Sequence, residues 1–352
     1  MLNEEKKLLV GNISISLSEA MEMIDDNSYR LLFLVDDDES IKACLSDGNI
    51  RRFILNGGSI SEPAINIANH DPRIAGSMEE AKKLYNIKGY SVIPIVDEGK
   101  RIIDFYCGPE DKEREYKTFN VPVVINAGGR GSRLDPFTKV LPKPLIPVGD
   151  TPIIELIMRE YQKYGCDDFH IIVNYKRDLI KAYFKEVKGK YNITWHDEDE
   201  PLGTGGGLSL LKGKIGCSFI FANCDVLLTA DYAKILDSHK KNKNIITMVC
   251  AYKNVSIPYG VVQIEKEGLI RSMKEKPQMS FLINTGIYIV EPEVIDDMEE
   301  EVAIGFPNIV EEQKAKGKRV AVYPVGENDW MDMGQMPELE RMRQKLYGDY
   351  NI

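Results

Sequence analysis

Val121 to Pro147 reads VPVVINAGGRGSRLDPFTKVLPKPLIP. Val121, Val123, Val124 and Ile125 form an apolar run that gives way to Asn126, Ala127, Gly128 and Gly129, as a buried parallel strand does when it runs into a loop. The loop carries Arg130, Arg133, Lys139 and Lys143 against a single acid, Asp135. Gly128, Gly129 and Gly131 lack Cβ atoms, so backbone N–H groups there can approach a ligand closely. Such a loop suits phosphate. It is neither a P-loop, which needs G-x-x-x-x-G-K before Ser or Thr, nor the G-x-G-x-x-G dinucleotide fingerprint.

Downstream, strand and helix alternate: strand Val121 to Asn126, helix Ile153 to Tyr164, strand Phe169 to Val173, helix Arg177 to Glu186, strand Ser218 to Phe221. The pattern predicts right-handed βαβ units, hence an α/β, Rossmann-like, mostly parallel sheet with helices on both faces. Ligands of such sheets bind at the carboxyl ends of the strands, where the glycine-rich loop falls. Upstream, Gly108 to Asn120 is charged and opens with Gly-Pro, which reads as a linker.

Residues 1 to 110 contain a repeat that aligns without a gap. Ser16-Leu17-Ser18-Glu19-Ala20 matches Ser77-Met78-Glu79-Glu80-Ala81, and Val35-Asp36 matches Val96-Asp97, at one offset (81 − 20 = 96 − 35 = 61). Each copy, about 8–62 and 69–110, opens on a Ser-x-x-Glu capping box and continues into a short helix and an apolar strand, so two like units are expected to pack face to face. The domains predicted are therefore 1–110, a linker over 108–120, and 121–352.

The totals exclude several classes. The 352 residues give room for two cores, and no apolar run approaches the ~20 residues a membrane span needs. The start, MLNEEKKLLV, is charged where a secretory signal is apolar, and six cysteines are scattered without a C-x-x-C pair. A cytoplasmic protein with reduced thiols and no membrane partner is expected. A net charge of −10 opposes non-specific nucleic-acid binding.

Gly128, Gly129, Gly131, Ser132, Arg133, Leu134, Pro136, Phe137, Thr138, Pro142, Lys143 and Pro144 fill the pattern G-G-x-G-S/T-R-L-x-P-L/F-T-x-x-x-P-K-P at its spacing. By that pattern the chain strongly resembles the sugar-nucleotidyltransferases, whose catalytic fold is GT-A-like. The resemblance implies a reaction in which a sugar 1-phosphate attacks the α-phosphorus of a nucleoside triphosphate and releases pyrophosphate. Arg133 would then neutralise the β- and γ-phosphates and Lys143 the α-phosphate, both from a solvent-facing loop. Ala127, Gly128, Gly129, Arg130 and Gly131 would line the triphosphate. Asp225 and Asp332 stand where the family binds Mg2+, although a strand-end Asp can also be an N-cap. Asn174, Glu200, Gly203 and Thr204, the last two within Pro201-Leu202-Gly203-Thr204-Gly205-Gly206-Gly207, fall where relatives read the base, unless that loop is only a turn. This form of the loop favours GTP. Gly260, Glu275, Lys276 and Asn284 occupy family positions on the sugar side.

The first half resembles a tandem cystathionine-β-synthase (CBS) pair, a module that binds adenosine nucleotides in many proteins. The resemblance is clearest at Cys44 to Arg52, where Ser46 stands for a phosphate-binding hydroxyl and Asn49 replaces the ribose-binding carboxylate. It implies a regulatory site for an adenine or guanine nucleotide, or a pair retained for homodimerisation alone. A CBS pair ahead of a nucleotidyltransferase resembles the glucosamine-1-phosphate guanylyltransferases of legionaminic acid biosynthesis. GMP transfer from GTP to glucosamine 1-phosphate is the expectation, with mannose or heptose 1-phosphate, or a non-catalytic nucleotide sensor, as alternatives.

Overall fold

The computed structural model describes residues 4–27, 29–60, 62–85, 92–108, 116–187 and 191–347. The chain forms two compact units: Met1–Glu115 with Tyr252–Leu282 and Gly326–Asn328, and Tyr116–Ala251 with Ile283–Val325 and Asp329–Ile352.

The larger unit is built on a seven-stranded sheet. Its strands lie in the order Asn192–Asp197, Asp168–Val173, Val123–Asn126, Phe219–Asn223, Gln278–Val290, Ile246–Ser256, Val320–Val325. The first four are mutually parallel, Gln278–Val290 runs antiparallel to Phe219–Asn223, and Ile246–Ser256 is parallel to Val320–Val325. The central strands read as unbroken apolar runs because both faces of the sheet are covered. Val123, Ile125, Ile220, Ala222, Ile287 and Ile289 enter one core. Their neighbours Val124, Phe219, Phe221, Tyr288 and Val290 enter the core on the opposite face.

Successive strands depart to opposite sides of Val123–Asn126, with Asp168–Val173 on one side and Phe219–Asn223 on the other. Their carboxyl ends thereby open a crevice at this switch of direction, beside the glycine-rich loop. The expected helix Arg177 to Glu186 has those bounds, the helix from Ile153 ends at Gln162, and the central strand begins at Val123. Within the linker, residues 109–115 lie outside the described residues. From Tyr116 onward the linker reading is corrected, because the rings of Tyr116 and Phe119 pack on Tyr164 at centroid distances of 4.9 and 5.4 Å. The Phe119 N–H also donates to the Tyr164 carbonyl at 3.0 Å.

In the other unit the repeat holds down to its irregularities. Leu31–Val35 pairs antiparallel with Ile41–Ser46, and Val92–Val96 with Ile102–Cys107, each with a register shift, at Leu34/Val35 and Ile95/Val96 (95 − 34 = 61). Glu39 and Lys100 occupy equivalent turn positions with φ of 61° and 60°. The copies meet at equivalent residues, Ser40 bridging Arg101, and Phe33 packs on Phe105 with centroids 5.5 Å apart. Both predicted capping positions are filled, Ser16 accepting from the Glu19 N–H at 3.2 Å and Ser77 from the Glu80 N–H at 3.3 Å.

Candidate active site

The loop after Val123–Asn126 is tied to its neighbours by the backbone. The Ala127 N–H donates to the Ile172 carbonyl at 2.8 Å, and the Tyr175 N–H to the Gly128 carbonyl at 3.3 Å. Gly131 takes φ 66°, and a Cβ there would stand 2.9 Å from the Lys143 Cβ, so no other residue fits. Thr138 closes the turn by donating to the Gly131 carbonyl at 3.1 Å, or to Asp135 Oδ1 at 2.7 Å. Arg133 and Arg130 are exposed, and the Arg130 guanidinium lies 5.5 Å from the Tyr175 ring centre. Lys143, expected in solvent, is 8% exposed. Its ammonium forms an ion pair with Asp225, because the segment Lys143–Leu145 turns inward with buried Pro144 and Leu145.

Asp225 follows the strand Phe219–Asn223, and a two-stranded ladder delivers its counterpart. Val226–Leu228 pairs antiparallel with Trp330–Asp332, Val226 opposite Asp332, and the Met333 N–H donates to the Asp225 carbonyl at 2.9 Å. Two aspartates 107 positions apart in sequence (332 − 225) thus become neighbours. Burial raises the Asp332 carboxyl above the usual range and the Asp225 charge adds to this. The Gly334 N–H, Lys143 and Arg133 pull it back. Arg133, Lys143, Asp225 and Asp332 therefore share one electrostatic environment. Among the described residues no group of three His, Cys, Asp or Glu side chains surrounds a common point. Two hard carboxylates are nonetheless the protein contribution that Mg2+ usually takes, phosphate and water completing the shell.

The second glycine loop is packed rather than loose. A Cβ on Gly203 would lie 2.8 Å from the Ile304 carbonyl oxygen, on Gly205 2.9 Å from the Phe306 backbone, and on Gly206 2.3 Å from the Val302 carbonyl oxygen. Thr204 Oγ1 accepts from the Phe306 N–H at 3.1 Å. Glu200 is exposed.

A further carboxylate, Glu198, lies buried between the loops, and sequence reasoning missed it. It is 3% exposed, and a Cβ on either Gly128 or Gly207 would fall 2.6 Å from one of its oxygens. Oε1 has no hydrogen-bond partner, and burial pushes the carboxyl up to about 7, the Leu202 N–H opposing. Asn174 fixes it from behind, Nδ2 donating to the Glu198 carbonyl at 2.9 Å. The available signal was the pair of glycines, Gly128 and Gly207, whose missing side chains make room for it.

Asn284 donates to the Tyr288 hydroxyl at 2.7 Å and accepts from the Gly286 N–H at 3.0 Å, within the strand Gln278–Val290, where Gly286 takes φ 80° and a Cβ on it would meet Asn223 at 2.5 Å. That places it beside the strand end preceding Asp225. Gly260 and Glu275 adjoin each other, a Gly260 Cβ lying 2.8 Å from Glu275 Oε2, and Lys276 follows with φ 42°. These three lie on the segment Tyr252–Leu282, in the unit with the repeats. Ser46 and Asn49 form a capping box at the helix Asp47–Leu55. The Asn49 N–H donates to Ser46 Oγ at 3.3 Å and the Ser46 N–H to Asn49 Oδ1 at 3.2 Å. No described helix is long and apolar enough to cross a membrane.

Residues 122–347 match the family model described as Nucleotidyl transferase. The mannose-1-phosphate guanyltransferase of Yarrowia lipolytica is 35% identical over 231 residues, covering 60% of this chain and 60% of that protein. The D-glycero-alpha-D-manno-heptose 1-phosphate guanylyltransferase of Campylobacter jejuni is 31% identical over 220 residues, covering 61% of this chain and 95% of that one. The chain thus spans 60% of the length of the first relative and nearly all of the second. The crystal structure of HddC from Yersinia pseudotuberculosis superposes with a TM-score of 0.51 at 24% identity, over 64% of this chain and 99% of that chain, which shows a shared fold.

Proposed function

Because the chain belongs to the nucleotidyl transferase family, whose model spans residues 122–347, we propose that it transfers GMP from GTP to a sugar 1-phosphate and releases pyrophosphate. The observation that carries this reading is the convergence of Arg133, Lys143, Asp225 and Asp332 at the carboxyl end of the sheet. A sugar 1-phosphate is ionised at neutral pH, so its oxygen attacks the α-phosphorus without a general base. The new P–O bond forms as the α–β bridge breaks, and the electron pair leaves on pyrophosphate. What the reaction needs is placement and relief of repulsion between polyanions.

Exposed Arg133 faces the β- and γ-phosphates, and the loop of Ala127, Gly128, Gly129, Arg130 and Gly131 follows the triphosphate. Lys143 moves its charge from Asp225 to the α-phosphate as the nucleotide enters. Asp225 and Asp332 would hold Mg2+, which would supply positive charge against the phosphates. Both residues fit it: the rise in the Asp332 carboxyl is caused in part by Asp225, and a cation between them removes that repulsion.

GTP is favoured by Glu198. Guanine presents two donors on one edge, N1–H and the 2-amino group, and a buried carboxylate with an unpartnered oxygen accepts both. Adenine and cytosine present an acceptor there, and uracil a single donor. Asn174, Gly203 and Thr204 frame the base from the surrounding backbone. Exposed Glu200 takes the outer edge of that pocket. Gly260, Glu275, Lys276 and Asn284 receive the sugar phosphate. Glucosamine 1-phosphate is our first choice of acceptor. Mannose and heptose 1-phosphates follow, since the relatives named above are guanylyltransferases for those sugars. Pyrophosphate release from the purified chain across a panel of nucleotides and sugar 1-phosphates tests the proposal. GTP should give the highest rate, and no release with any pair would refute it.

The repeat pair, in the same reading, is a CBS module that binds an adenine or guanine nucleotide near Ser46 and Asn49 and joins two chains in a homodimer. The offset of 61 maintained through register shifts and turns supports a paired module. The cap shows a helix start whose side chains are already engaged. Titration calorimetry with ATP and GTP, and sedimentation of the full chain, decide both points.

A further inference from the structure

The segment Tyr252–Leu282 takes in the end of the strand Ile246–Ser256 and the start of the strand Gln278–Val290, and it folds with the repeats. Tyr252, 7% exposed, shares a core with Leu17, Ala20, Met21 and Ile24 of the first repeat helix, Leu17–Asp26. Asn254, two positions on, is a junction. Its Nδ2 donates to Glu22 Oε1 at 3.3 Å, its Oδ1 accepts from the Ser280 hydroxyl, and its N–H donates to Glu327 Oε2 at 3.4 Å. Beside it, Asn328 Nδ2 donates to the Asp25 carbonyl at 3.0 Å.

Beyond this junction the Ile257 N–H donates to the Pro277 carbonyl at 3.1 Å, and the hairpin of Val261–Ile264 and Ile270–Lys274 projects from that base. Two strands alone are marginally stable in water, and this pair has Ile264, Ile270 and Met273 each 68% exposed. Its alignment is therefore set at its foot. Glu275 and Lys276 stand at the foot, Lys276 in a left-handed conformation that flanking structure must hold.

We propose that Glu22 and Asn254 are positioning residues for the sugar-phosphate half of the site, so that the first repeat helix sets the affinity for sugar 1-phosphate by fixing the ends of the segment that carries Glu275 and Lys276. This rests on the sugar-side role given above to Glu275 and Lys276. Within the unit that holds the repeats, Asn254 is then the point through which the first repeat helix acts on Glu275 and Lys276.

The test uses the full chain with Glu22→Ala, Glu22→Gln and Asn254→Asp, each substrate being varied at saturating levels of the other. Losing one hydrogen bond of this kind should raise the KM for sugar 1-phosphate roughly threefold to tenfold in Glu22→Ala. Asn254→Asp, which sets a second carboxylate against Glu22, should raise it further. Glu22→Gln, which keeps an acceptor oxygen, should restore it. The KM for GTP and kcat should stay within twofold of the parent. A merely structural seam would lower the melting temperature and leave both KM values alike, which would overturn the proposal. Hydrogen exchange over residues 257–277 reads the same seam without catalysis. Faster exchange in Asn254→Asp than in the parent is expected even if no substrate pair turns over, in which case the functional reading fails and the seam stands. Unchanged exchange would overturn the seam whatever the activity.

Discussion

Replacing Glu198 by Gln tests the nucleotide pocket on two independent scales. The carboxyl rises from an ordinary 4.5 to about 7 because it is buried. The folded protein therefore binds more protons than the unfolded chain between those values, and stability falls as pH rises from about 4.5 through 7. At 1.36 kcal/mol per pKa unit the full penalty above pH 7 is about 3 kcal/mol. Glu198→Gln removes it, so the ligand-free variant should melt roughly 6–12 °C above the parent at pH 8 and close to it at pH 4.5. The stabilised variant should also be the poorer enzyme. Its amide offers guanine one acceptor and one donor where two acceptors are needed, and kcat/KM for GTP should drop roughly 100-fold, about the loss of one charge-assisted hydrogen bond. In the parent, kcat/KM for GTP should fall about tenfold per unit below pH 7 as the carboxylate is protonated. ITP, which lacks the 2-amino group, should react about tenfold less well than GTP in the parent. Differential scanning fluorimetry and initial rates at pH 4.5 to 8 measure these effects. If the variant is less stable than the parent at pH 8, or retains the parent's preference for GTP over UTP, the assignment of Glu198 is wrong.

Asp225→Asn and Asp332→Asn should each abolish Mg2+-dependent turnover while leaving part of the nucleotide binding, and an unchanged magnesium titration in Asp332→Asn would make that carboxylate structural. Arg133→Ala and Lys143→Ala should each lower kcat roughly 100-fold, the scale of one preorganised charge. Lys143→Ala should in addition lose stability, since it leaves Asp225 half-buried without its ion pair, and comparing the two melting curves separates the residues. The stacked pair His170 and His196, with ring nitrogens 2.9 Å apart, should make the fold acid-sensitive. Burial lowers His196 to about 4, so the stability present above pH 6.5 is lost as pH falls toward 4. His196→Gln should flatten the urea midpoint over that window.

What could be read beforehand follows from which forces act locally. The strand Val123–Asn126 was legible because both its faces are buried, which leaves a continuous apolar signature. The repeat was legible because each copy solves the same local problem with the same cap, hairpin and turn. Glu198 was hidden because its burial depends on Gly128 and Gly207, which approach it only in three dimensions, while Glu200 lay closer to the recognisable loop. Tyr116 and Phe119 looked like linker residues amid charges, yet Tyr164 supplies a surface for both rings. The departure of Tyr252–Leu282 to the repeats is likewise a tertiary choice: Tyr252 finds its core among residues more than 180 positions earlier in the chain, such as Ala68 (252 − 68 = 184).

The ladder that seats Asp225 beside Asp332 also imposes a schedule on synthesis. At typical elongation rates of 5–20 residues per second, the 107 positions between them (332 − 225) take roughly 5–20 s to translate. Throughout that interval a nascent chain already holding Arg133, Lys143 and Asp225 lacks the strand Trp330–Asp332 that completes the acidic pair. Within the same interval the ribosome also makes the sheet strands Ile246–Ser256, Gln278–Val290 and Val320–Val325 and the residues Ile304 and Phe306 against which the second glycine loop packs, so under the function proposed above the acidic pair is the last part of the site to be assembled.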